Sequence, residues 1–275
     1  MPGLILSLSE QLYLELIGLN RKNLIEYLEN YPLYRSQISY DPNFNSKCYD
    51  LMFSKQRGGN PIMRRDFWPQ IENLQEECNS CWKFYIKPRN SSIKSLDIKL
   101  GKMFEKSFMD FLNMKGFQAL RADEVKKNYP DIKVIKNDVV SYVELKYLSA
   151  PFLMVHRKLR GRECYEGSTT LDVGKKISAQ RELVESEILE PVFYVYWIDF
   201  PCIKGVFFMR ANEVYHYIDE RKGLEFTRKE RSGDFISTPL GKQKMAQLDK
   251  VYLPLLKMGN FEELMINISG EYNIS

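Results

Sequence analysis

The run Tyr129-Pro130-Asp131-Ile132-Lys133-Val134-Ile135-Lys136-Asn137-Asp138-Val139-Val140-Ser141-Tyr142-Val143-Glu144-Leu145-Lys146 restricts the fold more than any other part of the chain. Apolar and β-branched residues fill two arms around Asn137-Asp138, a pair that tolerates positive φ, so the run predicts a β-hairpin closed by a two-residue turn. In that register partner numbers sum to 275, and Asp131 falls opposite Glu144.

Side chains alternate across a strand. Ile132, Val134, Val143 and Leu145 therefore share one face as a candidate core, while Asp131, Glu144 and Lys146 share the other, expected to face water. Two carboxylates set opposite each other repel. A divalent cation between them reverses that sign, and Mg²⁺ favours one or two carboxylates completed by water and phosphate oxygens. The plainer account is an ordinary hairpin with a solvated charged face.

At Pro130-Asp131 and Glu144-Leu145-Lys146 the chain resembles the PD-(D/E)xK nuclease superfamily, which includes most type II restriction endonucleases. The resemblance implies a catalytic set of Asp131, Glu144 and Lys146, with Mg²⁺ held by the two acids. It also implies a glutamate on the helix before the sheet, a position that Glu105 matches in type and order; the alternative is a surface glutamate. Hydrolysis of the superfamily's kind leaves a 5′-phosphate and a 3′-hydroxyl.

The chain has 275 residues and a net charge of only +4, so nucleic-acid binding would have to come from local basic clusters, not from a global field. The sequence begins without a charged leader, and no run is long enough to cross a bilayer, which suits a cytoplasmic protein. Five scattered cysteines fit reduced thiols. Cys78 and Cys81, with Cys48, are open to a zinc reading, but no second CxxC or nearby histidine completes a set, and unligated thiols are preferred.

Residues 1–90 read as a mostly helical module for DNA contact or dimerisation, and 91–275 as the catalytic domain with a helical extension. Ser7 to Glu10 has capping-box spacing before a first helix, and a second is expected from about Asn20. Lys55, Arg57, Arg64 and Arg65 lie in or beside a Gly-Asn-Pro-rich loop suited to phosphates or simply to solvent. A helix from about Leu96 to Lys115 carries Leu100, Phe104, Phe108, Phe111 and Leu112 on one stripe, with Gly116 ending it.

The connection from Tyr147 to Leu171 is long and basic. Arg157, Lys158, Arg160 and Arg162 leave the sheet close to Lys146, as candidates for base readout or for phosphate contact. A helix from Asp172 to Glu190, capped by Asp172, follows. Gln180 lies on its buried stripe, either bonded to backbone in the core or, as in some members of the superfamily, near the metal. Glu182 and Glu185 are expected on the solvated side, though certain restriction enzymes move one acidic ligand to this helix.

Val192 to Ile198 reads as a central strand covered on both faces, with Gly205 to Met209 as its neighbour. The order helix, three strands, helix, two strands predicts an α/β fold with a mixed central sheet flanked by helices, a restriction-endonuclease-like core. A short helix is expected near Asn212 to Ile218 and a longer one near Gly241 to Leu253, ended by Pro254. The resemblance implies a Mg²⁺-dependent, site-specific endonuclease of double-stranded DNA, acting as a homodimer alongside a DNA methyltransferase of the same specificity. A structure-specific nuclease such as a junction resolvase, and a binding protein of this fold that does not cut, are the competing expectations.

Overall fold

The computed structural model describes residues 7–29, 94–123, 125, 128–148, 169–199, 204–221, 227–228, 235–238, 241–244 and 250–271. Five strands form one mixed sheet: β1 (Gln118–Arg121), β2 (Ile132–Lys136), β3 (Val139–Leu148), β5 (Val192–Asp199) and β6 (Lys204–Arg210), in the spatial order β1-β2-β3-β5-β6. Only β3 and β5 run parallel; the other neighbours are antiparallel. The crossover between them carries β4 (Thr169–Asp172) and helix α3 (Lys175–Ser186). This is the expected α/β architecture with its mixed sheet flanked by helices.

The hairpin register is the expected one, from Ile132 opposite Val143 to Lys136 opposite Val139. Asn137 and Asp138 take φ of 49° and 64°, the left-handed pair that a two-residue turn requires to match strand twist.

One face of the sheet is covered by α1 (Leu8–Glu29), α2 (Lys94–Met114) and α5 (Phe261–Ser269). Leu12, Leu16, Phe104, Phe108, Phe111, Phe261 and Leu264 meet Ile132, Val134, Val143, Leu145, Val195 and Trp197 there with almost no exposed surface. Because α2 carries its apolar residues at spacings of three and four, one stripe of it is buried and its opposite side left to water. Gly116, at φ 79°, ends the turn that follows.

The other face is covered by α3, by α4 (Ala211–Arg221) and by a second sheet in which β10 (Lys250–Leu253) lies between β4 and β7 (Thr227–Arg228). Tyr194, Tyr196 and Ile198 point to this side of β5 and are fully buried, so β5 is indeed covered on both faces.

Four expectations are corrected. A single helix, α1, replaces the pair divided at Asn20; Asn20 is buried and accepts a hydrogen bond from the Ser107 hydroxyl at 2.7 Å, so it joins two helices without breaking one. The Ser7 to Glu10 capping box at its start is present. The helix expected from Asp172 begins at Lys175, because Asp172 is held extended as the partner of Lys250 and the N-cap passes to Gly174.

The helix expected from Gly241 to Leu253 is replaced by strands. Gly241, at φ 107°, lies opposite Thr238 where β9 (Gly241–Lys244) meets β8 (Phe235–Thr238), while Val251 and Leu253 pair with Leu171 and Thr169. Finally, the long connection after Lys146 is shortened at both ends, since β3 continues to Leu148 and β4 begins at Thr169.

Helix α5 was absent from the sequence reading. Its signal is plain in retrospect: Asn260 and Glu263 form a capping box, and Gly270 closes the helix at φ 72°. Of the module expected over residues 1–90, α1 is described, and it packs on α2 and α5 within one shared core. The 90/91 boundary lies outside the described residues.

Candidate active site

Asp131 precedes β2, and its position is fixed through the backbone of β3. The Leu145 N–H donates to Asp131 Oδ2 at 2.9 Å, and the Ala122 N–H donates to the Asp131 carbonyl at 3.3 Å. Continuing the hairpin register by one residue sets Asp131 opposite Glu144. Lys146, two residues further along β3, pairs with Glu144 Oε1. The three side chains that alternation assigns to one face thus meet.

That face is closed to water at Glu144, however, while Asp131 and Lys146 stay half-buried. Glu144 has no exposed surface, because α3 packs over the carboxylate. Lys176 Nζ donates to Oε1 at 3.0 Å, and Gln180 Nε2 donates to Oε2 at 2.8 Å. Gln180 is itself fully buried, and its Oε1 accepts from the Tyr194 hydroxyl at 2.6 Å; the Tyr215 hydroxyl on α4 lies 3.4 Å from that of Tyr194. A relay of polar groups therefore runs from α4 through β5 and α3 to the acid. Gln180 occupies the buried stripe as expected, but its partners are side chains and not backbone.

The electrostatics follow from this packing. Burial alone would push the Glu144 carboxyl up, but Lys146 and Lys176, with hydrogen bonds from Lys146 and Gln180, hold it below the ordinary value. For Lys146 the burial effect is likewise outweighed: the Glu144 and Asp131 carboxylates raise its ammonium above the ordinary value, so it stays protonated. Asp131 goes the other way. Burial and the neighbouring Glu144 charge raise its pKa from 3.8 to about 7. The two acids are displaced in opposite directions because Asp131 is buried beside the Glu144 charge, whereas Glu144 has two lysines and a glutamine to hold its charge.

Glu105, on α2, contributes to the field that raises Asp131, while its own Oε2 is bonded to Arg121 at 2.9 Å. Glu182 and Glu185 are exposed, and Glu185 pairs with Arg181. Among the described residues no three His, Cys, Asp or Glu side chains stand together as a metal-holding group. The donor set suits a divalent cation nonetheless: Asp131 and Glu144 stand opposite each other across the hairpin, and two carboxylates completed by water and phosphate oxygens are what Mg²⁺ accepts.

No protein-family model matches the chain, and no curated protein matches it. Solved structures similar to it include Hjc, a Holliday junction resolvase from the archaeal hyperthermophile Archaeoglobus fulgidus. That match has 11% sequence identity and a TM-score of 0.33, covering 60% of this chain and 94% of that one. No helix among the described residues is long and apolar enough to cross a membrane.

Arg57, Arg64, Arg65, Arg157, Lys158, Arg160 and Arg162, the candidate DNA contacts, lie outside the described residues, as do Cys48, Cys78 and Cys81. One residue of the cluster went unnoticed in the sequence. Lys176 is four positions before Gln180 and so on the same side of α3, a spacing that would have flagged it once Gln180 was singled out.

Proposed function

We propose that the protein is a Mg²⁺-dependent endonuclease of double-stranded DNA, of the site-specific type II restriction class, with Asp131, Glu144 and Lys146 at its catalytic centre. The observation that carries this reading is the meeting of the three groups: the Leu145 N–H fixes Asp131 beside a strand on which Glu144 and Lys146 alternate. An ordinary charged hairpin would leave these groups in water, and it would not bury a carboxylate under three donors.

Asp131 and Glu144 are the residues that would hold the cation, with Glu105 as a third if it leaves Arg121. Bound there, the cation would supply Lewis-acid polarisation of a phosphate oxygen and a more acidic water. Lys146, kept protonated by its acidic neighbours, donates hydrogen bonds and positive charge to the scissile phosphate and orients the attacking water; it does not act as the base. Water adds in line at phosphorus and the bond to the 3′ oxygen breaks, giving a 5′-phosphate and a 3′-hydroxyl. Gln180, held by Tyr194, keeps the Glu144 carboxylate in one orientation.

Cutting both strands of a palindrome calls for two-fold symmetry, hence a homodimer. In this reading Arg157, Lys158, Arg160 and Arg162, with Arg57, Arg64 and Arg65, contact the DNA, residues 1–90 add DNA contacts or a dimer interface to the 91–275 catalytic unit, and a methyltransferase of matching specificity protects the host. Incubating the purified chain with plasmid and Mg²⁺, with and without EDTA, tests it. Discrete fragments that vanish with EDTA are expected. Cutting confined to branched substrates would reassign the protein to the structure-specific class, and binding without any cutting would overturn the enzyme.

A further inference from the structure

We propose that Lys176 is a resident counter-cation for Glu144, displaced when a divalent cation binds and then available to a phosphate of the nucleic acid. The inference rests on the nuclease reading above and gives a role to a residue outside its catalytic set.

Glu144 is fully buried, yet its Oε1 serves two ammonium groups, Lys146 from the same strand and Lys176 from α3 at 3.0 Å, while Oε2 serves Gln180. Both oxygens of the carboxylate therefore accept hydrogen bonds, and both ammonium groups share Oε1. With all four groups ionised, Asp131, Glu144, Lys146 and Lys176 sum to zero charge. A divalent cation between the acids adds two positive charges beside two ammonium groups that already crowd one oxygen, and that repulsion favours release of the ammonium held least firmly.

The three donors are not equally free to leave. Gln180 is buried and locked by the Tyr194 hydroxyl. The side chain of Lys146 is 27% exposed and rises from the sheet itself, whereas that of Lys176 is 50% exposed and sits in the first turn of α3. A lysine head on a flexible, half-solvated stem moves at little cost. Once displaced, its ammonium remains at the mouth of the site, where an anionic phosphate oxygen is the partner of matching charge.

The test uses the full chain and two variants, Lys176→Met and Lys176→Arg. Titration of MgCl₂ into DNA-free protein by calorimetry should give a dissociation constant roughly five- to ten-fold tighter for Lys176→Met than for the wild type, because a competing charge is gone, while Lys176→Arg stays close to the wild type. Binding of a short duplex in Ca²⁺, measured against salt concentration, should show the slope of log K on log salt shallower by about one in Lys176→Met. Equal or weaker Mg²⁺ binding by Lys176→Met overturns the counter-cation role, and an unchanged salt slope overturns the phosphate contact. A wild-type chain that binds no Mg²⁺ overturns the metal-dependent nuclease and this inference together, so the two failures are distinguishable.

Discussion

The two faces of the central sheet are built on opposite principles. Under α1, α2 and α5 the side is mostly apolar, with the Asn20–Ser107 pair as a buried polar contact: Phe104, Phe108, Phe111 and Trp197 fill it by ring packing, with Phe104 edge-on to Trp197 at 4.8 Å between centroids. Under α3 and α4 the same strands bury a carboxylate, a glutamine and two tyrosine hydroxyls linked to one another. The first face supplies stability mainly through area removed from water, whereas the second accepts desolvation of charge and offsets it with the hydrogen bonds at Glu144, Gln180 and Tyr194. What the contrast teaches is that a rigid apolar side allows the opposite side to carry groups that would otherwise unfold it.

The largest effect expected from breaking this division is catalytic. Lys146→Ala should lower DNA cleavage by roughly a thousand-fold or more, with duplex binding largely kept; full activity in that variant would refute the assignment of the polar face. On the apolar face, Phe108→Ala should cost about 3–5 kcal/mol in chemical denaturation, since the ring is wholly buried. At temperatures where this variant is folded, its Mg²⁺ affinity should match the wild type, and a changed affinity would mean that the two faces are not independent.

Gln180→Leu should be less costly, about 1–3 kcal/mol, because it strands one acceptor on Glu144 and the donor on Tyr194. Unlike Phe108→Ala, it should also weaken Mg²⁺ binding in calorimetry. The smallest effect is set by pH. Between 3.8 and about 7 the folded chain holds the Asp131 proton more tightly than the unfolded chain, so this group makes the ligand-free protein less stable as pH rises through that window. Mg²⁺ competes for the same carboxylate. The rise in melting temperature on adding Mg²⁺ should therefore grow by a few degrees from about pH 5.5 to about pH 8; a rise independent of pH would exclude Asp131 from the cation site.

How far these features were legible in the sequence depends on how local their causes are. The hairpin was readable because Asn137 and Asp138 impose the turn, and the turn imposes the register that gathers Asp131, Glu144 and Lys146. Burial of Glu144 was not, since strand alternation says which residues share a face and is silent on what covers it. The all-apolar run at Val192 to Ile198 announced a two-sided cover for β5, and the same cover extends over its parallel neighbour β3. In the tail, Val251 and Leu253 follow a period of two that a helical reading overlooked, and their partner strand lies some eighty residues earlier in the chain.

The hydrogen bond from the Leu145 N–H to Asp131 Oδ2 has a further bearing on how such a protein tolerates change. An acid tied to a strand by an amide takes its position from that strand as well as from the chain that leads to it. The approach from β1 is held separately, by the Ala122 N–H on the Asp131 carbonyl and by Tyr129 packed against Tyr142, so a change in that approach moves the acid only if it also breaks the Leu145 bond.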